Sequence, residues 1–294
     1  ESIGSYDMNG NIISLTRSGF ESPTYYTNYD ILSYTYNGNR LIGVEDAGQS
    51  SRGFIDGHVY SAGSHDYLYD GNGNMVKDLN KNITEIIYNY LNLPKEVVKD
   101  ANNKIVYTYD AIGNKLKKSA TVGGTTTHRY YAGGFEYGNT KALELIHNEE
   151  GVVNKSGSTY EYEYFLKDHL GSTRVTFKPN GSSALILQSV NYYPFGMVSS
   201  MTQGGTDNNY LYNNKEIQRE IGLDWYDYGA RFYGPDGSRF FTIDPLAEKF
   251  PWQSPYCYAG NNPIRFIDYN GLGPGDRVKA ARSMTGIEYK QETV

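Results

Sequence analysis

The chain has 294 residues, of which 38% are hydrophobic, and it carries a formal net charge of -6. The negative charge argues against a duplex nucleic-acid binder, because such proteins need a basic face that replaces counterions. A single cysteine, Cys257, excludes an internal disulfide framework and a thiolate-rich zinc site. The chain contains no run of 18 apolar residues, so we predict no membrane-spanning helix.

Tyrosine and glycine stand where an ordinary core would hold aliphatic residues. The chain has 30 Tyr and 33 Gly. Tyrosine favours strands and combines an apolar ring with a polar tip, while glycine permits tight turns. We therefore predict an all-β fold of many short strands. The five histidines lie far apart in sequence, so we predict neither a metal site nor a cofactor.

A short unit recurs through residues 1–120. It combines a Tyr-rich alternating run, an Asn/Gly turn and a second alternating run, which is the pattern of a β-hairpin. Asn-Gly supplies the positive φ that a type I′ turn demands. One such hairpin cannot bury its apolar face alone, so we predict that successive units form one continuous sheet. The units are Tyr6–Ile12, Tyr36–Leu41, Tyr69–Met75, Tyr88–Pro94 and Tyr109–Leu116.

Two other interpretations of these units need weighing. The sequence from Asp70 to Asn74 resembles the opening of a calcium loop. An EF-hand would require Gly and Glu at the positions held by Met75 and Lys81, which argues against calcium. Carbohydrate binding through the tyrosine faces is the second alternative, and regular tyrosines are more often explained by packing within a sheet.

Residues 121–160 continue the hairpins less regularly, and denser blocks follow. They are Asp168/Gly171/Ser172/Arg174, Tyr192/Pro194/Phe195/Gly196, Glu220/Gly222/Leu223/Tyr226/Ala230/Arg231/Tyr233, Arg239/Phe240, Asp244/Pro245, Asn261/Asn262/Pro263 and Asp268-Tyr-Asn-Gly-Leu272.

The units resemble the YD repeats of the Rhs (rearrangement hot spot) family, which also occur in insecticidal toxin-complex C proteins and teneurins. The order of the later blocks resembles the Rhs repeat-associated core domain. Two positions depart from the family pattern. Ser238 stands where glycine is usual, and Tyr269 stands where proline is usual.

The resemblance implies an architecture and a role. Residues 1–160 would form a spiralling antiparallel sheet, a partial β-cocoon, and residues 161–272 would fold inward as a plug. Residues 273–294 would be a linker, weakly helical in pattern, or the start of a variable toxin region held by the sheet. The protein would be bacterial, secreted or on the cell surface, with its own C-terminal toxin domain as cargo. Open sheet edges at the N-terminal side would invite pairing with other chains.

The resemblance also implies an intramolecular aspartyl protease that cuts between Leu272 and Gly273. Asp244 and Asp268 would be its carboxylates, and Arg239 or Arg265 would keep one of them ionised. Two carboxylates forced together share one proton, which suits peptide hydrolysis.

Other readings of these residues stay open. Asp before Pro or Gly commonly starts a turn, which would explain Asp244 and Asp268 without catalysis. Asp168 and His169 could form a hydrolytic pair or simply a loop. A cell-surface adhesion or glycan-binding module is the main alternative function, and a glycosidase is a third.

Overall fold

The computed structural model describes residues 1–22, 24–48, 53–204 and 208–275. These ranges contain β-strands and single 3₁₀ turns and no α-helix. In the same ranges, no helix is long and apolar enough to cross a membrane. The 3₁₀ turns are Tyr212–Asn214, Glu220–Gly222, Ala247–Lys249 and Ala259–Asn261.

The strands follow one another in short steps along the chain. They are β1 (Ser2–Tyr6), β2 (Ile12–Ser22), β3 (Tyr25–Asn37), β4 (Arg40–Asp46), β5 (Tyr67–Tyr69), β6 (Met75–Asp78), β7 (Glu85–Tyr88), β8 (Pro94–Asp100), β9 (Asn103–Tyr109), β10 (Lys115–Val122), β11 (Thr125–Ala132), β12 (Phe135–Tyr137), β13 (Leu143–His147), β14 (Gly151–Ser156), β15 (Thr159–Lys167), β16 (Thr173–Asn180), β17 (Ser183–Tyr192), β18 (Val198–Gln203), β19 (Glu216–Gln218), β20 (Trp225–Asp227), β21 (Phe232–Gly234), β22 (Arg239–Phe240), β23 (Ile267–Asp268) and β24 (Pro274–Gly275).

The strands form antiparallel meanders. Strands β7 to β18 make one sheet of 12 strands, in which each strand lies beside its neighbour in sequence. Strands β1–β4 and β19–β22 form two sheets of four, and β5–β6 and β23–β24 form two-stranded ribbons. The predicted all-β fold of antiparallel hairpins is confirmed. The predicted single continuous sheet for the units of residues 1–120 is wrong, because these units are divided among the sheets β1–β4, β5–β6 and β7–β18. The predicted boundary at residue 160 falls inside β15, which is part of the 12-stranded sheet.

The aspartate of the repeated unit closes its turn. Asp70 Oδ1 accepts the backbone N–H groups of Asn72 and Asn74 at 2.9 and 2.8 Å, and Oδ2 accepts the side-chain amide of Asn74 at 2.9 Å. Asp7 and Asp110 make the same set of bonds in their units. These bonds engage both oxygens of Asp70, which the calcium interpretation would require as ligands.

The turn type differs from the predicted type I′. In the turn of the Asp70 unit only Gly73 has a positive φ, at 82°, while Asn72 is not among the residues with positive φ. The Asp70 carboxylate holds the Asn72 N–H, and this capping favours a turn whose central residues keep negative φ. Glycine is then needed only at the position that follows them.

The tyrosine of the unit links it to the unit before. The Tyr88 hydroxyl donates to the Met75 carbonyl at 2.6 Å, and the Tyr109 hydroxyl donates to the Pro94 carbonyl at 3.0 Å. In each case the acceptor is the first residue after the previous turn. These tyrosines therefore pack between successive hairpins.

The later segments pack against one face of the 12-stranded sheet. Lys115 and Lys118 of β10 form ion pairs with Glu216 of β19 at 2.5 and 3.0 Å. The ring of Tyr107 in β9 lies 5.4 Å from that of Phe232 in β21. The aromatic core of residues 223–258 is thus covered by the sheet, as the inward-folded plug requires.

The end of the described chain is a hairpin. Strand β23 pairs with β24, so that Asp268 lies opposite Pro274 and Ile267 opposite Gly275. The remaining residues, 276–294, lie outside the described ranges, and with them the predicted helical pattern and the predicted binding of this tail to the sheet.

Candidate carboxylate site

A tight turn after β22 fixes Asp244. Its Oδ1 accepts the backbone N–H of Leu246 at 2.7 Å, and its own N–H donates to the Pro255 carbonyl at 2.9 Å. The carbonyl of Asp244 accepts the N–H of Ala247 at 3.0 Å. Asp244 is therefore a turn residue, as its position before proline indicates, and its Oδ2 remains available for another partner.

Asp268 ends β23, and the turn after it bears the predicted cleavage bond. The Leu272 N–H donates to the Tyr269 carbonyl at 3.1 Å. The two residues between them, Asn270 and Gly271, have φ values of 54° and 73°. This is the type I′ geometry that an Asn-Gly pair favours, because both residues tolerate positive φ. The turn brings Gly273 back beside Asp268.

The two aspartates meet at one arginine. Nη2 of Arg231 lies 2.8 Å from Asp244 Oδ2 and 3.3 Å from Asp268 Oδ2. All three residues are buried. Arg231 also donates through Nε to the Gly271 carbonyl at 2.6 Å and through Nη1 to the Pro255 carbonyl at 3.1 Å. One guanidinium therefore holds both carboxylates and the turn beside the predicted cleavage bond.

Arg239 lies elsewhere. Its Nη2 donates to the Asn39 carbonyl at 2.7 Å, and its guanidinium lies 5.1 Å from the ring of Tyr36 and 5.0 Å from that of Tyr256. These contacts tie the first sheet to the later core.

The sequence motif favours Arg239 or Arg265 as partner of the carboxylates, and the structure places Arg231 there. Within the described residues, the ion pairs of Asp244 and Asp268 are with Arg231. Arg265 stacks on the ring of Phe266 instead. The signal for Arg231 is its sequence setting between Ala230 and Phe232, because an arginine that is buried among apolar residues needs carboxylate partners.

Two carboxylates with one guanidinium leave an excess of negative charge in a buried place. Burial raises the pKa of Asp268 to about 7, although Arg231 acts in the opposite direction. The negative charge of Asp244 raises this pKa further, while the backbone N–H groups of Gly273 and Leu272 lower it. Near neutral pH Asp268 is therefore protonated to a substantial extent.

The predicted cleavage bond lies against Asp268. The backbone N–H of Gly273, which is the amide nitrogen of the Leu272–Gly273 bond, donates to Asp268 Oδ1 at 3.2 Å. A cleft of about 690 Å³ is lined by Asp244 and Leu272, and another of about 880 Å³ is lined by Leu272 and Gly273. The arrangement brings together two carboxyl groups on one arginine, a peptide bond and two clefts that reach that bond.

Tyr269 adds a hydrogen bond to this hairpin. Its backbone N–H lies 3.4 Å from the Gly273 carbonyl. Proline, which the family pattern has at this position, lacks an N–H and cannot make that bond. The departure at Tyr269 therefore closes the turn more firmly around the predicted cleavage bond.

Asp168 and His169 belong to a different turn. Asp168 Oδ1 accepts the N–H groups of Leu170 and Ser172, each at 3.0 Å, which repeats the turn geometry of the earlier units. His169 Nε2 lies 2.9 Å from the Ile264 carbonyl. Both residues therefore have structural partners.

Sequence comparison connects the chain to much longer proteins. No family profile matches it. Salivary gland surface protein 1 of Aedes aegypti is 28% identical over a region that covers 69% of this chain and 6% of the mosquito protein. The tRNA3(Ser)-specific nuclease WapA of Bacillus spizizenii is 26% identical, covering 82% of this chain and 11% of the nuclease. The chain thus spans about a tenth or less of the relatives that it matches.

Structure comparison connects the fold to Tc toxin components. A crystal structure of TcdB2-TccC3-TEV matches 91% of this chain with a TM-score of 0.66 and 21% identity, over 15% of the solved chain. A structure of the Photorhabdus luminescens Tc holotoxin pore matches 92% of this chain with a TM-score of 0.56 and 16% identity, over 18% of the solved chain. At these identities the likeness concerns the fold.

Proposed function

We propose that this chain is the closing part of an Rhs-type toxin shell, and that it cuts itself after Leu272 to free the chain that follows. The resemblance of its units and core blocks to the Rhs family and the fold shared with TccC3 support the shell. One observation carries the cleavage. Asp244 and Asp268 share Arg231 Nη2, and Asp268 also holds the nitrogen of the Leu272–Gly273 bond.

The proposed reaction is hydrolysis by a water molecule. Asp244, which forms an ion pair with Arg231, takes a proton from the water as the water oxygen adds to the Leu272 carbonyl carbon. Asp268, protonated at and below neutral pH, accepts the Gly273 N–H before the reaction. Once water has added to the carbonyl carbon and the Gly273 nitrogen has become tetrahedral, Asp268 gives its proton to that nitrogen. The bond from Leu272 to Gly273 breaks and leaves a carboxyl group on Leu272 and an amine on Gly273.

In this proposal the cargo is the chain that follows Gly273. In the whole protein it would be a toxin domain enclosed by a shell, and the protein would be secreted or held at the bacterial surface. The packing of the later core segments on the 12-stranded sheet, through Lys115 and Lys118 on Glu216 and Tyr107 on Phe232, supports this proposal.

The test is the rate at which purified protein yields species 1–272 and 273–294, followed by mass spectrometry under denaturing conditions. Replacing Asp244 or Asp268 with Asn is expected to slow cutting by about 100-fold or more, the usual contribution of an acid or base. Asp78→Asn is the matched control, because Asp78 is also buried with its pKa raised to about 7 but lies in β6. Equal rates in wild type and in the Asp244, Asp268 and Asp78 variants would contradict the proposed protease activity.

A second candidate function, glycan or cell-surface binding, is supported by two exposed rings on the large sheet. Phe135 lies opposite Ile146, and Tyr162 lies opposite Val153, which is buried. Phe135 and Tyr162 are 42% and 54% exposed. If these rings bind glycans, Tyr162→Ser should lower retention on polysaccharide columns without changing the melting temperature. Equal retention of both proteins would remove this candidate.

A further inference from the structure

We infer that the proposed self-cleavage accepts only glycine at position 273, because the ring of Phe250 closes the space that any side chain would need. The inference rests on the proposed function and specifies its substrate. Gly273 has a φ of 95°, which L side chains rarely adopt. A Cβ built there would lie 2.4 Å from Cε2 of Phe250 and 2.9 Å from its Cζ.

Phe250 is held in place by the chain that carries Asp244. The carbonyl of Asp244 accepts the Ala247 N–H at 3.0 Å, and the Ala247 carbonyl accepts the Phe250 N–H at 3.0 Å. The Phe250 carbonyl in turn accepts the Gln253 N–H at 3.2 Å, and its ring packs edge-on against Trp252 at 5.8 Å. A side chain at position 273 would therefore displace the same short segment that positions Asp244.

The requirement is local to the residue after the cut. Two residues further along the chain, Gly275 has no neighbour within 4 Å of a built Cβ and no positive φ. Gly275 lies in β24, and Gly273 immediately precedes that strand. The proposed cut thus requires glycine directly after it in a hairpin of this register, whereas position 275 tolerates a side chain.

A side chain at position 273 should slow the reaction because it would change the distances between the reacting groups. A Cβ that pushes Phe250 outward by about 1 Å would move either the Gly273 nitrogen away from Asp268 or Asp244 away from Arg231. A misplacement of this size costs about 100-fold in rate. Substitution at position 273 should therefore slow cutting far more than it disturbs the fold.

The experiment compares Gly273→Ala with Gly275→Ala in the full chain, by the rate at which a species ending at Leu272 forms. We expect about 100-fold slower cutting in Gly273→Ala and a rate within about twofold of wild type in Gly275→Ala. Adding Phe250→Ala to Gly273→Ala should recover about tenfold, because it opens the space while the unfavourable φ remains.

The outcomes separate the two proposals. If wild-type protein is cut and Gly273→Ala protein is cut equally fast, the inference is overturned, while the proposed protease activity is retained. Failure of Phe250→Ala to recover any rate would also overturn it, and this comparison holds even if Gly273→Ala alone folds poorly. Wild-type protein that stays uncut would overturn the protease, and the inference with it.

Discussion

Asp268 accepts, through Oδ1, the backbone N–H of Gly273 at 3.2 Å. The carboxyl group with the raised pKa is thus in contact with the nitrogen that would have to leave if the chain were cut after Leu272. Its other oxygen lies on Arg231, which also holds Asp244. Three residues, Arg231, Asp244 and Asp268, therefore meet beside one peptide bond.

Stability should depend on pH through Asp268. Its pKa is raised from an ordinary value of 3.8 to about 7, so the folded protein keeps a proton that the unfolded chain releases. Between these values the folded state binds more protons, and the free energy of unfolding should fall as pH rises, by at most about 1.4 kcal/mol per pH unit. Asp268→Asn should remove this dependence and be more stable than wild type at pH 8. The check is urea unfolding at pH 5 and pH 8. If the difference in free energy of unfolding between wild type and Asp268→Asn is the same at pH 5 and pH 8, the raised pKa of Asp268 is contradicted.

The rate of cutting should fall on the alkaline side of the same pKa. Asp268 must be protonated to donate to the Gly273 nitrogen, and its pKa is about 7. Raising the pH from 6 to 9 should therefore slow cutting by about tenfold per pH unit once the group is ionised. The measurement is the yield of cut chain over time in buffers of equal ionic strength. A rate that rises steadily to pH 9 would exclude Asp268 as the acid.

Substitutions of Arg231 and Arg239 should have different effects on both the free energy of unfolding and the rate of cutting. Arg231→Gln leaves two buried carboxylates without their cation and should lower the free energy of unfolding by about 3–5 kcal/mol, with cutting abolished. Arg239→Gln removes a hydrogen bond to Asn39 and ring contacts, so a loss of about 1–2 kcal/mol is expected, with cutting retained. Urea unfolding and intact mass measure both. Loss of cutting in folded Arg239→Gln protein would restore the sequence-based assignment.

Tyr269→Pro tests the departure from the family pattern. The variant loses the hydrogen bond from the Tyr269 N–H to the Gly273 carbonyl, which is long at 3.4 Å, and keeps Asp268 and Gly273 in place. We expect a loss of about 0.5–1 kcal/mol and a cutting rate within about fivefold of wild type. An increase in rate of 100-fold or more would instead show that Tyr269 restrains the reaction.

The tyrosines that link successive hairpins should each contribute a hydrogen bond. Tyr109→Phe removes only the hydroxyl that donates to the Pro94 carbonyl at 3.0 Å, so a loss of about 1 kcal/mol is expected. Tyr162→Phe, on a ring that is 54% exposed, serves as control and should change stability by less than about 0.5 kcal/mol. Equal losses in the two variants would mean that the inter-hairpin bond has no special part.

Much of the fold can be predicted from the sequence because the residues that specify each hairpin lie close together in the chain. The alternating tyrosines, the Asn-Gly pairs and the Asp of each unit act within a few residues, and the structure uses them in that way at Asp70 and Gly73. The turn type was not predicted correctly from the Asn-Gly pairs, because the Asp carboxylate favours negative φ at the central residues of the turn. Residue 160 marks a change of composition, yet β15 runs through it because its pairing with β14 continues the ladder.

The candidate carboxylate site can be predicted from the sequence only in part. Asp244 and Asp268 stand out by their motifs, and a turn-rich stretch of 24 residues brings them together. The choice of Arg231 over Arg239 depends on which way each side chain points, Arg231 from the residue before β21 and Arg239 from the start of β22, and hence on how these strands pair. The position of Phe250 against Gly273 depends on contacts between two turns that carry no shared sequence signal.

The most direct measurement is cutting in water enriched with oxygen-18, followed by mass spectrometry of both fragments. We expect one heavy oxygen in the fragment that ends at Leu272, none in the fragment that begins at Gly273, and cutting slowed by about 100-fold or more in Asp268→Asn. A chain that remains whole, or a cut at another bond, would contradict the proposed self-cleavage.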